Sequence, residues 1–226
     1  MARLFLTNAD HLDNAVPCIT AMPAAGMTIS AWIKATTLLT LQEILTLGQA
    51  ASNSNRWTID VNAASTFSQS QARDGAAASF GTATAAVTSG VWCLVTGVFY
   101  DDTNRAGFTN GANKGTGAVL RTLASAPTNT RVSANPIGNN PVLNGLLAHL
   151  AIWNTALVDT DVLALMTNLP SSIQPSFLQE YWPLTTGASP EPSIGIQGNS
   201  LTVTGTSFAA DDPFGSPVVL MGQAIF

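Results

Sequence analysis

The nine residues GLLAHLAIW at 145–153 constrain the fold more than any other part of the chain. Leu146, Ala148, Leu150 and Ile152 alternate on one side. Leu147, His149, Ala151 and Trp153 alternate on the other. A strand that is apolar on both faces lies centrally in a sheet covered above and below. Residues 91–100, VWCLVTGVFY, give a second strand of this kind. Together they require a packed β-sandwich.

Shorter strand candidates surround these two, separated by turn-forming residues. Residues 28–34 alternate cleanly, 43–48 follow, and 56–61 put Trp57, Ile59 and Val61 on one face. Residues 62–86, rich in Ala, Ser and Gly, are expected to hold two short strands with loose turns. Residues 101–104 read as a turn, and Asn110-Gly111 as a tight reversal, because both residues tolerate positive φ. Residues 181–184 and 201–206 supply closing strands. The pattern predicts one helix, over 159–168. Asp159 is its expected N-cap, Val162, Leu163, Leu165 and Met166 its apolar face, and Pro170 its stop.

Composition narrows the function classes. Of 226 residues, 46% are hydrophobic and only 9% charged, against roughly 25% charged in an ordinary soluble domain. Disorder requires low hydrophobicity together with high charge, so this is a folded chain. Its surface must be made of Ala, Thr, Ser, Asn and Gly. Such a surface suits packing into a larger particle, and it equally suits a lysine-poor monomer. The net charge is −5, and Lys34 and Lys114 are the only lysines. No basic stripe is present to neutralise phosphates, so nucleic-acid binding and anionic membranes are not expected. Cys18 and Cys93 lack CxxC or Cys/His ligand spacing and are read as two separate thiols. The first residues carry too short an apolar run for a signal peptide, and no run reaches the roughly 20 residues of a membrane helix. The chain is expected to be made and folded in a cytoplasm.

The order TISAWIK, GVWCLVTGVFYD, FTNG and LNGLLAHLAIWNTAL resembles laminin-G-like domains of the concanavalin A-like jelly-roll superfamily. The acidic helix after Trp153 and the YWPL segment are similar to the bacterial and phage branch. The resemblance spans about 1–213 and leaves an apolar tail, 214–226. It implies an all-β fold: a two-sheet antiparallel jelly-roll sandwich in one domain, with one short helix near 159–168.

Glycosidases of that superfamily place paired carboxylates along one strand, within reach of one sugar bond. Here Glu43, Glu180 and Glu191 are scattered and Asp60 stands alone on its strand, so no catalytic residues are expected. His11 and His149 are the only histidines, and His149 reads as a core histidine with one hydrogen-bonded nitrogen. No nucleophile elbow or phosphate-binding loop occurs. The resemblance implies a calcium site at the sandwich rim. Asp101 and Asp102 are the candidate ligands, ahead of Asp10 with Asp13 and Asp211 with Asp212, all of which also read as solvated turns. Trp32 is the candidate exposed aromatic for glycan binding, with core burial the favoured alternative, while Trp57, Trp92 and Trp153 read as core. In the tail, Val218, Val219, Leu220, Met221, Ile225 and Phe226 form a candidate assembly element, needing cover from its own sandwich or from a neighbour.

These features lead to the expectation of a non-enzymatic structural protein on a phage virion surface: a capsid decoration, head-fibre or tail-associated protein. It would pair with a phage capsid or tail protein and form a homo-oligomer. The alternative is a glycan-binding, lectin-like adhesion module directed at a cell-surface glycan. No cofactor other than calcium is implied.

Overall fold

The computed structural model describes residues 1–7, 9–38, 40–50, 52–62, 66–75, 77–135, 137, 143–185, 187 and 189–214. Its strands in chain order are β1 (Ala2–Phe5), β2 (His11–Asn14), β3 (Met27–Ala35), β4 (Gln42–Gln49), β5 (Ser52–Val61), β6 (Phe67–Asp74), β7 (Ala77–Ala86) and β8 (Cys93–Phe99). They continue with β9 (Asn104–Thr109), β10 (Ala112–Ala118), β11 (Asn129–Val132), β12 (Gly145–Trp153), β13 (Leu178–Trp182), β14 (Thr202–Thr204) and β15 (Ser207–Ala209). The helix α1 spans Asp159–Ala164. One antiparallel sheet runs β10-β9-β8-β3-β12-β1-β15, with β13 pairing the second half of β12; the other runs β14-β2-β11-β4-β5-β6-β7. This is the expected two-sheet jelly-roll sandwich.

The main core lies between the sheets, where Ile29, Ile33, Leu147 and Ile152 meet Leu45, Leu47, Trp57 and Ile59. A second apolar layer covers the outer face of the first sheet. There Trp32, Leu94, Phe108 and Trp153 pack beneath Leu157, Val162 and Leu165. All nine residues of β12 are buried, as a strand with two apolar faces must be. Its simple alternation, however, is broken. The pairing of β12 with β3 shifts between Ala148 and Ala151, and His149 has φ +50°. The extra residue of this bulge flips every later side chain to the opposite face. Leu146 and Ala148 therefore point outward, while Leu150 and Ile152 point into the main core.

The helix is shorter than the pattern predicts. Val158, extended and without a side-chain cap bond, precedes it. Asp159 sits in the first turn, where its carboxylate accepts from Lys114 at 2.8 Å. Beyond Ala164 the chain turns irregularly, with Ala164 O accepting from Asn168 N at 3.0 Å. Residues 62–86 form strands of eight and ten residues rather than two short ones. Their small side chains let β9 and β10 approach β7 backbone to backbone: a Cβ on Gly115 would overlap Thr82 O, and one on Gly117 would overlap Phe80 O. Asn110 and Gly111 both take positive φ and close the β9–β10 hairpin as expected. Cys18 and Cys93 are separate free thiols.

Candidate functional site

A cleft of about 370 Å³ opens at one rim of the sandwich. Four segments build it. The residues after β2 bring Thr20 and Met22, β5 brings Trp57, the β8–β9 turn brings Asp102, and the segment after β10 brings Thr122 and Leu123. The turn is held by its own aspartate. Asp101 Oδ1 accepts from the Thr103 and Asn104 backbone N–H at 2.6 and 2.7 Å, and the Asn104 amide donates to Oδ2 at 2.9 Å. These bonds, the side-chain one from Asn104 foremost, keep the Asp101 carboxyl below the usual range.

The segment after β10 is stapled to this turn by an arginine. Arg105, 1% exposed, donates to the carbonyls of Asp102 at 2.8 Å and Val119 at 3.1 Å. Arg121 N donates to Asp102 O at 2.8 Å. Asp102 is thereby presented to the cleft, and its Oδ2 accepts from Thr122 Oγ1 at 3.1 Å. Asp102 Oδ1 and Trp57 Nε1 are buried there with no hydrogen-bond partner, one an acceptor and the other a donor.

Of the sequence candidates for calcium, Asp101 is taken up by its turn and Asp102 faces the cleft. Among the described residues no group of three or more His, Cys, Asp or Glu side chains comes together. Asp10 likewise caps its own loop, its Oδ2 accepting from Leu6 N at 2.7 Å.

Trp32 is not an exposed platform. It is 6% exposed, with the edge of Phe214 against it at 5.6 Å between ring centroids. The covering segment continues from β15 along the outer face of the first sheet. Asp211 pairs with Lys34 at 2.7 Å and accepts from Trp92 Nε1 at 3.0 Å, while Asp212 pairs with the N-terminal ammonium at 2.6 Å. Trp92, expected in the core, is half-buried instead. His149 is a buried histidine with one hydrogen-bonded nitrogen: Nδ1 meets Tyr181 Oη at 2.8 Å, and burial lowers its pKa. The assembly candidates Val218, Val219, Leu220, Met221, Ile225 and Phe226 lie outside the described residues.

The carboxylates are not all scattered. Glu43 and Asp60 are direct partners across β4 and β5, on the face of the second sheet that carries Arg56 and Gln71. Sequence reasoning missed the pair because it arises from strand register between residues far apart in the chain. Both are 1% exposed. Arg56 binds Glu43 Oε1 at 2.7 Å and donates to Gln71 Oε1 at 2.9 Å. Glu43 Oε2 and both Asp60 oxygens have no hydrogen-bond partner. Burial pushes the Glu43 carboxyl up to about 7 and holds that of Asp60 well above its usual range, with the facing Glu43 adding to the shift. A glycosidase pair must reach its substrate, and this one is closed to solvent.

The laminin G type family model described as "Concanavalin A-like lectin/glucanases superfamily" matches residues 8–163, and the chain belongs to that superfamily. A search of curated protein sequences finds no match. Among solved structures, the chain is similar to a putative carbohydrate binding protein from Bacteroides ovatus, with TM-score 0.64 and 14% identity over 91% of this chain and 58% of that one. It therefore spans somewhat over half of that relative. It is also similar to a heptameric pentraxin from Limulus polyphemus, with TM-score 0.56 and 18% identity over 73% of this chain and 79% of that one. The sialidase carbohydrate-binding module of Ruminococcus gnavus, solved with α2,3-sialyllactose, matches with TM-score 0.54 and 16% identity over 64% of this chain and 83% of that one. At these identities the likeness is one of fold.

Proposed function

We propose that this chain is a non-catalytic, lectin-like carbohydrate-binding module whose ligand sits in the rim cleft. One observation carries the reading: Asp102 and Thr122 stand beside the apolar side chains of Met22 and Leu123 in one concave site. Sugars need both surfaces, hydrogen-bonding groups for their hydroxyls and apolar contact for their C–H faces. The carbohydrate-binding relatives support it as analogies of fold. The one carboxyl pair suited by residue type to glycosidase work is closed to solvent, which favours binding over turnover. A glycan array tests the reading. Specific retention of at least one glycan, weakened by Asp102→Ala and unaccompanied by hydrolysis, is expected. Retention of none, or hydrolysis of a bound glycan, contradicts it.

A second reading places the module on a phage virion surface, as a decoration, head-fibre or tail-associated protein. The favouring observation is compositional: 9% charged residues leave a surface of small neutral side chains suited to packing among copies. Mass spectrometry of purified particles tests it, and absence of the chain from them contradicts it.

A further inference from the structure

We infer that the cleft takes an uncharged saccharide, whose hydroxyls donate to Asp102, and discriminates against the same saccharide bearing an acidic group. The inference rests on the carbohydrate-binding reading and adds to it the charge class of the ligand.

The argument begins with what lines the cleft. Among the described residues its one ionisable wall residue is Asp102; Thr20, Thr122 and Ser125 are neutral, and no described Lys, Arg or His takes part. An ionised carboxylate only accepts hydrogen bonds, and a sugar hydroxyl donates them. Bonds of this charge-assisted kind are the stronger class. A carboxylate, sulfate or phosphate on the ligand offers no donor in return and brings a like charge instead.

Two arginines lie near the cleft without entering its described wall, and Arg105 offsets part of the Asp102 charge without meeting the ligand. Arg105 is 1% exposed and spends its Nη2 on the carbonyls of Asp102 and Val119. Its remaining nitrogens Nε and Nη1 are buried, and the residue is not part of the cleft wall. Arg121 lies with its Nε 3.6 Å from Asp74 Oδ1 and donates from Nη1 to its own neighbour, Leu120 O, at 2.9 Å. An acidic ligand in the cleft would thus meet the Asp102 charge with no cation among the described wall residues to contact it. In a partly enclosed site such repulsion is less screened than at an open surface. The net charge of −5 acts in the same direction at longer range.

The experiment uses a glycan array in which each neutral glycan is paired with sialylated and sulfated forms of the same core, followed by titration of the best pair. The protein is expected to retain neutral glycans and to bind their acidic forms at least tenfold more weakly. Asp102→Asn should weaken neutral binding about tenfold or more. It should also shrink the gap between neutral and acidic forms, because the repelling charge is gone. Thr122→Val, which removes one hydroxyl and no charge, should weaken binding while leaving the gap intact. It serves as the second variant if Asp102→Asn fails to fold. Preferential retention of the acidic forms would overturn the inference and leave the carbohydrate-binding reading standing. Retention of no glycan would overturn both.

Discussion

Glu43 and Asp60 illustrate how one cross-strand contact sets a pH response. Two carboxylates facing each other in a buried site cannot both ionise cheaply, and three of their four oxygens have no donor. A proton on the pair supplies one. Arg56 and Arg73 are the cations that act on Glu43 from β5 and β6, and Arg56 forms an ion pair with it. Both carboxyls titrate higher in the folded protein than in the unfolded chain. The folded state therefore holds protons that the unfolded state has released, and its stability declines as pH rises between the two values. The contribution is fully present below the ordinary Glu range near 4.5 and is lost as pH climbs through about 7. Thermal melts from pH 5 to pH 9 should show a falling midpoint. Asp60→Asn should flatten the profile and raise the midpoint at pH 9. A midpoint that rises with pH in the wild-type protein would contradict this account.

At the scale of elements, the bulge in β12 and the glycines of β10 decide the packing. Trp153 is 0% exposed, and its Nε1 donates to Ile173 O at 2.8 Å. It anchors the segment around α1 to the first sheet. Trp153→Ala should cost about 3–5 kcal/mol, read as a lowered denaturant midpoint. A near-unchanged midpoint would mean that Trp153 serves a surface site instead. Gly115→Ala forces a methyl group against Thr82 O and must part β10 from β7. A loss of roughly 1–3 kcal/mol is expected, and an unchanged melt would contradict the close approach of those strands.

The long strands were legible because two-faced hydrophobicity has only one home in a sandwich. The Asn110-Gly111 hairpin was legible because its turn chemistry is local. Three things were not. The His149 bulge hides in an unbroken apolar run, where a change of face leaves no polar mark. The Glu43–Asp60 pair depends on register across two strands. The contact that helps cover Trp32 depends on Phe214, far along the chain, although burial itself was the favoured reading of that tryptophan. Asp102 was named only as a calcium-ligand candidate implied by the family resemblance; its setting in a cleft with Thr122 and Trp57 required the fold.

The whole molecule combines a doubly covered sheet, a second sheet with a buried ionic network, and one rim where loops leave a cleft. Its first sheet is covered on the outside by α1 and the segment leading to Phe214, so that face is not free for a ligand. The proposed carbohydrate site is the rim cleft. The most direct measurement is an NMR titration of the labelled protein with a neutral oligosaccharide retained on the array. Amide shifts confined to residues 20–22 and 122–126, with Asp102 and the Trp57 indole, are predicted. Shifts centred on Arg56 and Gln71, or around Trp92, with the cleft unmoved, would contradict the account.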